Sequence, residues 1–444
     1  MQWGFLAEKD AGERMFGGPV KGIDHYSFFM LMRNWKKFEM IILGDYRVNL
    51  GQGMVQWQSL AFNKGADIVN TMRQGEALRP NQSATESGYY RGFAVSRRFN
   101  RLYTLVFFSR MKMDANIKVD SINGVHVSSL LYSGLHRTKS EFSDRKALDH
   151  AVAGASVNYK VRGIKMGANV VAHSFNKPII KADEPYNHFA FTGMKLLNQS
   201  FDYALPLGNL RLFGELAFSH LGGYGMVNGL LMSIARNADL ALLYRNISPS
   251  YRSFESSAFT EASEPSGERG LFAGVHLKIS PVLNLSAFAD HFMFPFYRYQ
   301  LHGAARGNSY SLQWKLVPDK KSYCTVRFSM ERKSANNTDE EFIHTVGIGT
   351  RKSLRIQAGY PLGRNCSGSS RVEVAETGKE DIRENAMLIY SEVAATILNN
   401  YKGVFRLQLI DIPSYNSRLY AYESSGASSG IVRMHYGSGV SLSA

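Results

Sequence analysis

The period of two in the polarity of this sequence constrains its fold more than any other feature. Between Tyr323 and Glu331, Cys324, Val326, Phe328 and Met330 fall on one face, while Tyr323, Thr325, Arg327, Ser329 and Glu331 fall on the other. Successive side chains of a strand point to opposite faces, so each such segment reads as half-buried β-structure with one apolar and one wet side. The pattern returns where Leu210, Leu212, Leu216 and Phe218 oppose Arg211, Glu215 and Ser219, and where Leu283, Leu285, Ala287 and Ala289 oppose Asn284, Ser286 and Asp290. It recurs where Leu354, Ile356, Ala358 and Tyr360 oppose Arg355 and Gln357, and where Phe405, Leu407 and Leu409 oppose Arg406 and Gln408. No helical stripe of comparable clarity interrupts it.

A chain of 444 residues has room for two or three ordinary domains, but barrels exceed the usual domain size as one unit. No Pro/Ser/Gly-rich linker or abrupt change of composition divides it, so residues 1–444 read as one architecture. Cutting the chain into alternating segments gives roughly 20 to 22 strands of about ten residues, the length a tilted strand needs to cross a bilayer. The fold class expected is therefore all-β: a large antiparallel transmembrane β-barrel, apolar outside and polar in its lumen. Leu216 to Ala235 is uncharged but carries Ser219, His220, Asn228 and four glycines, which suits a Gly-rich hairpin better than a membrane helix. The start has no basic stretch followed by an apolar run, and the last residues lack the aromatic that commonly closes a bacterial barrel. The expectation is a fragment lacking both ends.

Alternation stops from Gln58 to Gly88, where Ala66 to Arg73 suits a short helix ahead of Leu78 to Ser83. A break of that length predicts a plug or a long extracellular loop. Further polar stretches run from His136 to His150 and from Ser248 to Arg269. Short turns alternating with a few long connections match the lopsided loops of outer-membrane barrels. No self-similarity at a fixed period supports a propeller or a solenoid.

Lysine plus arginine number 52 against 37 acidic residues, a formal net charge of +15. That balance attracts lipopolysaccharide, nucleic acid or other acidic ligands. The charge is spread along the chain, with only small clusters at Lys36-Lys37, Arg97-Arg98 and Lys320-Lys321, which fits solvated turns and a wet lumen. Cys324 and Cys366 are too few for a disulfide framework and lack metal-ligand spacing. The twelve histidines show no His-Glu-x-x-His or clustered spacing.

Three motifs invite chemistry and fail on context. Gly51-Gln52-Gly53 lacks the Gly-Lys-Ser/Thr and βαβ unit of a phosphate loop, and its glycines suit a strand bend or close packing against a plug segment. Asp290 and His291 are adjacent on a strand and face opposite sides. Gly426 to Gly430 matches Gly-x-Ser-x-Gly around Ser428, but only His435 follows it and no carboxylate does. His136, Arg137 and Thr138 with Glu141 place an imidazole near a carboxylate, the raw material of acid–base chemistry, although loop polarity alone accounts for them. Tyr89-Tyr90, Phe107-Phe108, the run from Phe292 to Tyr299, and Tyr420 with Tyr422 read as interfacial girdles rather than stacking platforms for single-stranded nucleic acid.

Four segments carry a resemblance: Ala7 to Glu13, Leu43-Gly-Asp-Tyr-Arg-Val-Asn-Leu-Gly-Gln-Gly53, Gly134 to Glu141, and Ala289 to Arg298. Over about the first two thirds of its length the chain resembles the barrel region of helix-hairpin-helix domain-containing outer-membrane proteins of Bacteroidetes-type bacteria. The resemblance implies helix-hairpin-helix repeats ahead of the barrel as the part that touches DNA. No such repeat occurs in these 444 residues, so DNA binding is carried over to none of them.

The expected function is that of a conduit or scaffold in the outer membrane of a Gram-negative bacterium, in contact with membrane lipid and lipopolysaccharide. Any link to DNA or another polyanion would run through a helix-hairpin-helix region outside this chain. No catalytic, cofactor-binding or metal residue is assigned, and no enzyme activity is expected. Two rivals remain: an outer-membrane enzyme with His136, Ser140 and Glu141 converging at the barrel rim, and a docking component of a secretion or adhesion machine.

Overall fold

The computed structural model describes residues 1–9, 22–23, 25–301, 303–336, 346–379, 382–397, 401–425 and 429–443. Ser428 and the first part of its Gly-x-Ser-x-Gly motif, and part of the Ala7 to Glu13 segment, lie outside the described residues. Of the described strands, twenty-two belong to one sheet, and Leu419–Ser425 pairs with Ser429–His435 as a separate hairpin. The fold is therefore all-β, of the large antiparallel barrel class. Contacts divide the chain into two units: residues 1–63, 70–230 and 243–269 form the first, and 64–69, 231–242 and 270–444 the second.

In the first unit, neighbours in sequence pair as antiparallel neighbours in space. His25–Trp35 pairs with Phe38–Val48, Tyr90–Phe99 with Leu102–Asp120, and Leu148–Val161 with Ile164–Ile179. Their turns are short because the residues tolerate positive φ: Arg162 at 46° and Gly163 at 86° make the two-residue hairpin turn that matches strand twist. Alternate connections are long, spanning 49–89, 132–147, 180–192 and 248–267. The lopsided loops read from the sequence are present in this unit.

The burial phase inverts that of a soluble sheet. On Leu210–Ser219, Leu216 and Phe218 are exposed while Glu215 and Ser219 are buried. Elsewhere in the unit Phe93, Val106, Phe108 and Phe201 are exposed, whereas Ser96, Ser109, Ser200 and Asp202 are buried. An outward apolar band over a polar interior is what strands acquire when lipid replaces water outside them.

The second unit repeats this logic. Ala305–Leu316, Tyr323–Asn336, Val346–Pro361, Cys366–Lys379, Ile382–Ile397 and Tyr401–Ile412 pair in succession, each antiparallel to the next. Phe328, Leu354, Ile356, Val372 and Leu407 face outward, and Gln313, Arg371, Glu373, Arg406 and Gln408 are buried on the other face. Leu216 to Ala235 is a hairpin as expected, with Leu210–Ser219 and Tyr224–Ala235 joined by a tight turn. Among the described residues no helix is long and apolar enough to cross a membrane.

Several boundaries differ from the sequence reading. The break expected at Gln58 to Gly88 begins earlier, just after Phe38–Val48, and contains the 3₁₀ turn Ile68–Thr71 and the short strand Leu78–Pro80. The expected polar stretch ending at His150 stops sooner, since His150 lies on Leu148–Val161 and holds the helix Lys139–Asp144 before it.

Candidate functional site

The residues that fold inward from the strands make the most elaborate polar construction in the first unit. Past Val48 the chain turns through Gly51 (φ 55°) and Gly53 (φ 81°). A Cβ at Gly51 would lie 2.6 Å from the Glu215 carboxylate, and one at Gly53 would lie 3.1 Å from the Ser257 carbonyl. Glycine is required there by both conformation and space. The Glu215 carboxylate, buried on the strand wall, accepts from the main-chain N–H of Gln52 at 2.6 Å and of Met54 at 3.0 Å. One carboxylate thereby satisfies two buried main-chain donors that would otherwise lack partners.

A second inward segment, 248–267, packs on the first. The Tyr251 hydroxyl donates to the Met54 carbonyl at 2.9 Å, and Ser253 and Ser256 donate to the carbonyls of Val55 and Gly53 at 2.8 and 2.7 Å. Trp57 donates its main-chain N–H to the Glu255 carbonyl at 2.7 Å. Glu268, buried with Arg245 as an ion pair, accepts from the N–H groups of Glu261 and Ala262 at 2.9 and 3.0 Å. Each inward segment is thus pinned by one buried carboxylate gripping consecutive or near-consecutive amides.

Arg73 closes the construction. Its guanidinium donates to the Ser257 carbonyl at 2.8 Å and the Asn63 side-chain oxygen at 2.6 Å, and also to the carbonyls of Phe62 and Asn70. Burial lowers its pKa to about 10. Glu255 is half-buried, and burial, partly offset by a hydrogen bond with Gln58, raises its carboxyl to about 7.

Beside this lies a cavity of about 550 Å³, lined among others by His25, Glu86, Arg91, Asp114, Tyr132 and Lys146. Glu86 and Asp114 of that lining and the buried His136 behind it each bring one donor atom to within 4.8 Å of the others. Carboxylate and imidazole donors from three separate segments form a set that can hold a divalent cation. Sequence spacing showed no such set. Only the strand Leu102–Asp120, which continues past its apolar band, carries Asp114 to the loops that hold the other two.

The trio considered for acid–base chemistry does not converge. His136 is buried, with Nε2 at 2.7 Å from the Asp114 carboxylate rather than that of Glu141. Glu141 is committed to a capping box: its carboxylate accepts from the N–H of Arg137 at 2.6 Å and of Thr138 at 2.8 Å, and the Thr138 hydroxyl accepts from the Glu141 N–H. Those backbone bonds lower the Glu141 pKa. Ser140 is exposed on the same short helix. Asp290 and His291 face opposite sides, as expected: buried Asp290 pairs with Lys64 at 2.8 Å, and exposed His291 hydrogen-bonds Asn308. Cys324 and Cys366 are half-buried free thiols.

In the second unit a hairpin lies on the polar face. Arg351, Arg371 and Arg406 donate to the carbonyls of Arg418, Tyr420 and Tyr422 at 2.7, 2.9 and 2.7 Å. Three guanidiniums thus hold alternate carbonyls from Arg418 to Tyr422. Leu419 and Ala421 bury their side chains against Ala375, Ala386 and Leu388 of the wall.

No family model matches the chain, and no curated protein matches it. Solved structures do. A bacterial polysaccharide outer-membrane secretin aligns at 9% identity over 72% of this chain and 94% of its own, with a TM-score of 0.33. The FrpB iron transporter of Neisseria meningitidis aligns at 10% identity over 78% of this chain and 69% of its own, with a TM-score of 0.35. The Ralstonia pickettii toluene transporter TbuX aligns at 11% identity over 75% and 79%, with a TM-score of 0.16.

Proposed function

We propose that this chain is an outer-membrane conduit or scaffold of a Gram-negative bacterium, with residues 49–63, 70–89 and 248–267 constricting the polar side of its first unit. The observation that carries this reading is the inverted burial phase: Phe328, Leu354 and Ile356 exposed against buried Arg371, Glu373 and Gln408, repeated strand after strand. In water such a surface would be a liability for aggregation. Against lipid acyl chains and lipopolysaccharide it is the favourable arrangement.

The polar groups described above are spent on positioning. Glu141 caps a helix, Glu215 and Glu268 clamp backbone, and Arg73 holds carbonyls. That allocation favours a passive role over catalysis. A link to DNA rests only on the family resemblance and would require a region beyond these residues.

The test is reconstitution into planar bilayers at low and high salt. A conduit gives discrete conductance steps that deepen or widen when the inward segments are released. A heat-modifiable protein that stays silent even with those segments released overturns the conduit and leaves the scaffold.

A further inference from the structure

We infer that the second unit carries a binding site for a soluble, multiply charged oxyanion of the phosphate type, at the turn joining Ala305–Leu316 to Tyr323–Asn336. A cavity of roughly 540 Å³ opens there, and its charged lining is Lys315, Lys320, Lys321, Arg327 and Arg355 against the single acid Asp319. Asp319 is already committed, since its carboxylate accepts from the N–H groups of Lys321 and Ser322 at 2.7 and 2.8 Å to form the turn. Five cations therefore face the cavity without a dedicated carboxylate in it.

The register sharpens the imbalance. Arg327 and Arg355 are direct cross-strand partners, a like-charge juxtaposition that costs stability in the empty state. Arg327 donates to Gln313, which is neutral, at 2.7 Å. Arg355 donates to Glu373 at 2.9 Å, and that same carboxylate also serves Arg371. Within the lining a buried N–H donor remains unsatisfied at Nε of Arg355. Buried donors of native proteins nearly always have partners, so an orphaned guanidinium donor in an under-neutralised cavity points to an anionic ligand.

The donor set selects the class. Planar guanidiniums fit the oxygen pairs of a phosphate, and lysines on the rim add point charge and steer approach. Five positive groups match a di- or polyphosphate better than a monocarboxylate. The lining side chains share the polar face with Thr325 and Gln357, opposite Val326, Leu354 and Ile356. The occupant is therefore a water-borne solute rather than a lipid headgroup reached from the apolar side.

How a solute reaches this face in the cell rests on the conduit reading, but binding itself is measurable without conduction. The experiment is calorimetric titration of the detergent-folded chain with inorganic pyrophosphate at low salt, on wild type, Arg327→Gln/Arg355→Gln and Lys320→Gln/Lys321→Gln. The expected result is saturable binding in wild type, weakened at least about tenfold by the arginine pair and about threefold by the lysine pair, and lost progressively with salt. The lysines lie on an exposed turn, so their variant decides if the arginine variant fails to fold. Absence of saturable binding in wild type, or binding unchanged in the lysine variant, overturns the site. Pyrophosphate binding with silent bilayers would overturn the conduit alone, and conductance without binding would overturn the site alone.

Discussion

The Glu215 carboxylate accepts the main-chain N–H of Gln52 at 2.6 Å, joining the strand wall of the first unit to the inward turn at Gly51–Gly53. Because the same oxygen also accepts from Met54, one side chain satisfies two buried amides. Leaving a buried donor unsatisfied costs about 1–3 kcal/mol. Glu215→Ala removes both and leaves the amides without acceptors. Gly51→Ala reaches the same result from the other side, since its Cβ has no room beside the carboxylate. Both variants are expected to release residues 49–89 without unfolding the strands. Trypsin cleavage at Arg73, which is buried in wild type, should accelerate several-fold while heat-modifiable migration is kept. Unchanged cleavage in both would show that Glu215 does not hold the segment.

Glu255 gives the contact between the two inward segments a pH dependence. Its folded pKa, about 7, lies above its ordinary value of 4.5. Between those values the folded protein holds a proton that the released segment does not, so the stability of the contact falls as pH rises from about 4.5 through 7 and levels off above. Amide exchange at 49–60 and 248–267 should therefore be slower at pH 5 than at pH 8, after correction for the intrinsic rate. Glu255→Gln should reduce the dependence, and Glu255→Gln/Glu215→Gln, which also removes the carboxylate that holds Gln52 and Met54, should flatten it. A dependence that persists in the double variant assigns the titration to another group.

The strand phases were legible because a period of two is a local signal: Phe328 and Leu354 declare their face through their immediate neighbours. The ends of strands were less so. Leu102–Asp120 extends past its apolar band because Asp114, Asn116 and Lys118 continue the ladder there, and polarity without alternation does not mark where a strand ends. The inward construction left still less trace. Glu215 grips amides more than 160 positions away, and Glu86, Asp114 and His136 meet from three segments. Side-chain bonds to distant backbone impose no periodicity on the residues that make them. Glu141 left two readings open for a related reason, as a capping box and an acid–base pair draw on the same residue types.

Arg371 and Arg406 make the hairpin of the second unit a separable element. Each donates to a hairpin carbonyl and each also pairs with a wall carboxylate, Glu373 or Glu392. Arg351→Ala removes one carbonyl contact, to Arg418, and should leave the hairpin docked through Leu419 and Ala421. Arg371→Ala/Arg406→Ala should undock it, seen as trypsin cleavage at Arg418 and Arg433 that is slow in wild type and at least about fivefold faster in the double variant. Equal rates in the two variants would mean that apolar burial alone seats the hairpin.

The inverted burial phase predicts opposite outcomes for the same substitution one residue apart. Leu354 and Ser353 are neighbours on Val346–Pro361; Leu354 is exposed on the apolar face, and Ser353 lies half-buried on the polar one. Arginine on the lipid face of a membrane strand costs about 2–4 kcal/mol at mid-bilayer, and little in a polar lumen. In a soluble sheet the order reverses, because exposed Leu354 would accept arginine and half-buried Ser353 would not. Leu354→Arg should therefore lower the folded fraction in lipid bilayers at equilibrium in urea, whereas Ser353→Arg should fold to nearly the wild-type extent. If Ser353→Arg is the damaging change, lipid does not face Leu354 and the membrane reading fails with it.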